Sequence, residues 1–244
     1  MFYSETLETP KKKGGKNEFI KYFTREEIPI LLGLPDTTKA IGQRDVTLMS
    51  MLYATGARAQ ELCDLKLKDL TFSDPVKVKL TGKGNKTRIV TIPDSCVEIL
   101  RGYLRVKHLD PSDHSLSECH VFSSQTHEHM SISCIEELVK KYVSEAKAKH
   151  PKLFAQPSYS PHSLRHSIAV HMLETGESLV TIKAFLGHSS IETTTVYAKV
   201  TPELANKYLD HRGKPLEAVN SEAVKSSAVI AALPFIPRRF TGSR

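Results

Sequence analysis

Residues 45–56, DVTLMSMLYATG, carry apolar side chains on nearly every side of a helical repeat. A helix of that kind is stable only when protein covers it all round. Gly56 marks its end, because glycine readily takes the left-handed conformation that closes helices. The rest of the chain must therefore wrap a buried helix, and 244 residues are enough to do so as one domain or two small ones. Hydrophobic residues make up 40% and charged residues 25%, far from the polar, highly charged mixtures that stay disordered.

The remaining pattern is mostly helical with one interruption. Thr24-Arg25-Glu26-Glu27 reads as a capping box that opens a short helix. After Gly56, ARAQELCDLKLKDL places Leu62, Leu65, Leu67 and Leu70 on an apolar pattern that predicts a second short helix beneath the loop carrying Arg58. VKVKL (76–80) and RIVTI (88–92) alternate in character around TGKGNKT, which predicts two strands and a tight glycine turn that projects a lysine beyond the sheet. A helix from Asp94 buries Val97, Leu100, Tyr103 and Leu104, and another runs from Ser131 to about His150. Pro161 introduces a helix that stops at Gly176. Two short helices joined at Gly187 to Ser190 follow, and Thr201-Pro202-Glu203 opens a last one. The expected class is α+β, mainly α, with a small antiparallel hairpin or sheet packed on a helical bundle.

Residues 1–18 include TPKKKGGK and read as a basic flexible arm; residues 211–244, with the apolar patches AVIAAL and PFI, read as a tail that either docks or stays disordered. Between them, 19–210 is expected to be the folded domain. The net charge of +7 favours a polyanionic partner, with nucleic acid the first to consider. No apolar run is long enough for a membrane span, and the N-terminus has no signal core, so a cytoplasmic location is expected. Cys63, Cys96, Cys119 and Cys134 lack CxxC spacing and predict reduced thiols. The cluster Cys119, His120, His127, His129 and Cys134 fits no standard zinc spacing and reads more simply as a polar turn.

His162 and Arg165 lie three apart near a helix start and can address one ligand; a guanidinium and an imidazole beside unpaired amides suit a phosphate. The turn GKGNK lacks the Lys-Ser/Thr ending of a nucleotide loop. Taken together and in order, GARAQEL with Arg58, TGKGNKTR with Lys83, PHSLRH with His162 and Arg165, and LGHSSIETTTVY with His188 and Tyr197 resemble the catalytic domain of the tyrosine recombinases, most closely the Xer-type and transposon or phage integrase branch. The resemblance runs from about Tyr22 to Leu209.

That resemblance implies a site-specific recombinase acting on double-stranded DNA through a 3′-phosphotyrosine intermediate, assembled as a homo-oligomer (a tetramer) on its sites. Tyr197 would be the nucleophile, Arg58 and Arg165 would fork onto the nonbridging oxygens, His188 would add a hydrogen bond, and His162 would accept the phenol proton. Lys83 on the hairpin tip is the choice for the acid that protonates the departing 5′ oxygen, with Lys86 as runner-up. Neither metal nor cofactor is expected, because two arginines supply the positive charge. Glu61, three after Arg58, could orient that guanidinium, although a solvated helix carboxylate is the favoured reading. Family members carry a separate helical core-binding domain ahead of the catalytic one; the arm at 1–18 is too short for it, so a catalytic domain alone is expected. Two alternatives stay open: a non-catalytic helix-turn-helix DNA-binding module built on LVTIKAFLGHSSIETTTVYAKV, and strand relaxation of the type IB topoisomerase kind.

Overall fold

The computed structural model describes residues 20–197. The basic arm, the helix expected from Thr201 and the tail lie outside the described residues. Among these residues eight α-helices and three strands follow one another, with short 3-10 turns between some of them: α1 (Glu27–Leu32), α2 (Ala40–Thr55), α3 (Ala59–Cys63), β1 (Leu70–Thr71), β2 (Lys77–Thr81), β3 (Thr87–Thr91), α4 (Asp94–Val106), α5 (Ile132–Lys149), α6 (Pro161–Glu174), α7 (Leu179–Leu186) and α8 (Glu192–Thr195). The architecture is mainly helical with one small antiparallel sheet, as expected from the sequence.

At the centre is α2, in which every residue from Asp45 to Thr55 is buried. α4 and α6 pack against it. Several of its interior polar groups are paired: Thr47 and Thr55 donate to the carbonyls of Gln43 and Met51 one turn back, each at 2.6 Å, and Asp45 accepts from the distant Tyr142 at 2.9 Å, while the Ser50 hydroxyl has no partner among the described residues. Such pairing removes most of the cost of burying them. The helix begins five residues before Asp45, because the apolar run marks only its buried length. Its first turn is the partly exposed AIGQR, where Gly42 lies so close to Asp36 that a Cβ would sit 2.0 Å from the Asp36 carbonyl oxygen. At the other end Gly56 takes φ 57° and closes the helix. Thr24 and Glu27 form the expected box, with N–H···O distances of 2.9 and 3.2 Å.

The second helix after Gly56 is much shorter than its leucine pattern suggests. Only Ala59–Cys63 is α-helical; from Leu65 the chain pairs with a distant segment, Val121 donating to the Leu65 carbonyl at 2.8 Å and Leu67 to that of Cys119 at 2.9 Å, and Leu67–Asp69 makes a single 3-10 turn. Leu65 and Leu67 are both buried with a less buried Lys66 between them, the alternation of extended chain. The segment then enters β1, a third strand that the sequence reading did not include, giving the order β1-β2-β3. The hairpin itself forms as expected, with Thr81 opposite Thr87. Its turn holds Gly84 at φ 75° and Asn85 at φ 58°, and Val78 and Leu80 point into the core. Proline begins α6, Gly187 at φ 67° ends α7, and α8 is a single turn. No helix among the described residues is long and apolar enough to cross a membrane.

Candidate active site

Four chain segments meet where α2 and α7 end. Arg58 lies two residues past Gly56, at the start of α3, in extended backbone that turns its N–H toward Glu61. Glu61 Oε2 accepts that N–H at 2.9 Å, and Oε1 accepts Arg58 Nη1 at 3.1 Å. The arginine cannot return a cap bond, since a guanidinium has no acceptor. Arg88, on β3, closes on the same carboxylate with both prongs, Nη1 to Oε1 and Nη2 to Oε2, each at 2.8 Å. Glu61 is therefore not the solvated helix carboxylate favoured from sequence: it is 3% exposed, and its acceptor positions are filled by two arginines. Burial alone would push its carboxyl up. The bonds and charge of Arg88, the Arg58 N–H and the charge of Arg165 outweigh this and hold it below the usual carboxylate range.

Arg165 is 2% exposed on α6 and donates to two main-chain carbonyls, that of Gly56 and, at 2.8 Å, that of Leu186. Burial, then the nearby Arg58 and Arg88, lower its pKa to about 10, so it stays charged at neutral pH. His162, one turn earlier on α6, is exposed. Desolvation by surrounding protein, then Arg165 and Arg58, keep it below its ordinary value.

Tyr197 is 1% exposed, and its hydroxyl shares a 2.9 Å hydrogen bond with Nδ1 of His166. Burial pushes the phenol up to about 12, although Arg165 and Arg58 pull the other way. His166 did not figure in the sequence reading. It stands beside Arg165 on α6, its ring 6.2 Å from that of His162, and burial followed by the charges of His162 and Arg165 brings it down to about 4. The ring of His188 is parallel to that of Tyr197 at 6.5 Å. Its Nδ1 bonds the Thr194 hydroxyl at 2.9 Å, and burial followed by Arg165 and the other arginines takes it to about 4. The threonine-rich segment that a helix-turn-helix would present to base edges thus turns Thr194, fully buried, into the site.

Lys83 and Lys86 are both exposed on the hairpin turn. The preceding Gly82 touches the cluster directly: a Cβ there would be 2.9 Å from Glu61 Oε1 and 3.7 Å from Arg58 Nη1. Among the described residues no group of three or more His, Cys, Asp or Glu is arranged to hold a metal; the rings of His120 and His129 pack 5.4 Å apart.

Two arginines, two histidines kept neutral by burial and a covered tyrosine thus meet on a helical frame beside a projecting hairpin. The chain belongs to the phage integrase family, whose sequence model matches residues 21–203. It is 34% identical to tyrosine recombinase XerA of Thermococcus onnurineus over 205 residues, 84% of this chain and 67% of that one. To tyrosine recombinase XerD of Staphylococcus epidermidis it is 32% identical over 201 residues, 82% of this chain and 64% of the relative. Among solved structures it resembles XerA recombinase, with TM-score 0.62 and 28% identity over 80% of this chain and 66% of that one. The fold also matches the XerH site-specific recombinase in its post-cleavage complex with difH substrate, with TM-score 0.66 and 22% identity over 83% of this chain and 56% of that one. The chain spans about two thirds or less of the length of these relatives. The resemblance read from the four motifs is borne out at the level of the family.

Proposed function

We propose that this chain cuts and rejoins double-stranded DNA as a site-specific recombinase, through a covalent bond between Tyr197 and a 3′ phosphate. The observation that carries the reading is the convergence of Arg58, Arg165, His188 and Tyr197, drawn from separate parts of the chain, with both arginines close enough to act electrostatically on the phenol. The names of the relatives, tyrosine recombinases, support it.

In the proposed reaction the Tyr197 oxygen attacks phosphorus, the bond from phosphorus to the 5′ oxygen breaks, and the phosphodiester energy is kept in the phosphotyrosine for religation. Arg58 and Arg165 fork onto the nonbridging oxygens, where charge accumulates, and His188 adds a hydrogen bond. A phenol held near 12 is a poor nucleophile, so a neutral histidine must take its proton. His162 takes it once the phosphate is bound, and His166 holds the hydroxyl until then. Lys83 gives a proton to the leaving 5′ oxygen. Neither metal nor cofactor enters these steps. The working form is a homotetramer on its DNA sites, located in the cytoplasm with the nucleoid.

The test is incubation with a nicked suicide duplex, from which the cleaved end diffuses away, followed by denaturing electrophoresis. A covalent protein–DNA band that survives chelator and is absent from Tyr197→Phe is expected. No band, or one that persists in the variant, would falsify the reading.

A further inference from the structure

We propose that Arg88 is a positioning residue for strand cleavage: by occupying Glu61 with both prongs it leaves the Arg58 guanidinium free to fork onto the scissile phosphate. The inference rests on the function proposed above.

A carboxylate as buried as Glu61 must be paired, and it can accept about four hydrogen bonds. Arg88 takes two of these positions at 2.8 Å each, and the Arg58 backbone N–H takes a third. Only one position is left for the Arg58 side chain, a single Nη1 contact at 3.1 Å. The rest of that guanidinium has no hydrogen-bond partner among the described residues, and the side chain is 38% exposed. Arg58 is steadied at one corner and open on the others. Arg88, 12% exposed, is placed to hold rather than to reach for substrate.

What fixes Arg88 is packing from two sides. A Cβ at Gly187 would lie 3.0 Å from its Cδ, so the glycine that ends α7 also makes room for the arginine stem. Its Nη2 lies 3.5 Å from the Gly56 carbonyl oxygen. The same carboxylate touches both sides of the hairpin turn, through Arg88 on the return strand and the close approach of Gly82 just past the outgoing one. Without Arg88, Glu61 would have two vacant acceptor positions in a buried place. The nearest cation with unused N–H groups is Arg58, already one hydrogen bond away, and it would close on Glu61 two-pronged and leave the phosphate.

Rates of covalent adduct formation on the suicide duplex test this, since the proposal demands that the effect of Arg88 depend on the Glu61 charge. Arg88→Met alone should slow cleavage by about tenfold or more, whereas adding it to Glu61→Gln should slow that variant by less than about threefold. Adding it to Arg58→Ala should likewise cost almost nothing further, because the residue through which Arg88 acts is gone. A merely structural role predicts similar losses in all three backgrounds, and that result overturns the proposal. Should Arg88→Met alone fail to fold, the two double variants carry the decision. If the wild type forms no adduct, the functional reading falls separately, and a crystal structure of Arg88→Met decides the positioning role: Arg58 closed two-pronged on Glu61 supports it, and Arg58 unmoved overturns it.

Discussion

Arg165 is held by two main-chain carbonyls and Glu61 by two arginines, whereas Tyr197 rests on one hydrogen bond to a neutral histidine beside a single-turn helix. The half proposed to bind the phosphate is held by built-in hydrogen bonds. In the proposed reaction such pre-oriented groups would need little rearrangement when charge develops, which is where electrostatic catalysis draws its strength. The attacking half is the reverse: its phenol is covered, protonated and held near 12. In the proposed reaction, placing the electrostatics in the well-bonded half would let the phenol stay inert until DNA is bound.

The sharpest way to separate the halves is Tyr197→Phe, which should abolish the adduct while duplex binding, followed by gel shift, stays within about twofold, since one exposed-to-nothing hydroxyl is lost and no phosphate contact is touched. Removing either arginine should slow adduct formation by about 10²–10³. The pair should differ in stability: Arg165→Ala strips two buried carbonyls of their donors and should lower the melting temperature by several degrees, while Arg58→Ala should barely move it. Equal melting shifts for the two would contradict the contrast drawn between a seated and an open arginine.

Lys83→Ala should slow an ordinary phosphodiester by about 10²-fold. A 5′-bridging phosphorothiolate leaves as a thiolate and needs no proton, so the variant should recover on that substrate; recovery by Lys86→Ala instead would move the acid along the turn. His166→Ala should cost less than about tenfold in rate, below the loss for His162→Ala, if it holds rather than activates the phenol. Faster nitration of Tyr197 by tetranitromethane in that variant would show the hydroxyl uncovered.

The smallest effect is on pH. Burial, with neighbouring positive charges, depresses His166 and His188 to about 4 from an ordinary 6.5. As pH falls the unfolded chain binds these protons first, so their contribution is complete above about 6.5 and is lost progressively toward about 4. Melting temperature followed over that window should decline, and the slope should flatten in His188→Gln; an unchanged slope would mean that His188 is not kept neutral by the fold.

Much of this frame could be read from local signals. Gly56 ending a buried helix, the glycine turn between alternating strands and the proline opening α6 are each decided by residues within a turn of one another. Leu65 to Leu70 was not legible in that way. Its leucines permit an α-helix, and what breaks it at Leu65 and Lys66 is pairing with the carbonyl and N–H of a segment beyond residue 115, after which the chain makes one 3-10 turn before β1. Glu61 misled for a related reason: a carboxylate three after an arginine is usually solvated, and its burial depends on Arg88, which in sequence is an ordinary strand residue 27 positions on. The His-x-x-Arg spacing drew notice to His162 and passed over His166, next to Arg165, because only folding shows which ring meets Tyr197.

Gly56 is the cap of α2, and Leu186 is the last residue of α7. Arg165 therefore sits where two helices point their C-terminal ends, and each such end behaves like roughly half a negative charge. Two of them amount to a whole counter-ion made of main chain. A backbone dipole has no proton to gain in acid, unlike Glu61, whose hold on Arg58 weakens once its carboxyl is protonated. The two arginines proposed to hold the phosphate would thus part company as pH falls, Arg165 keeping its seat under conditions in which Arg58 loses its own.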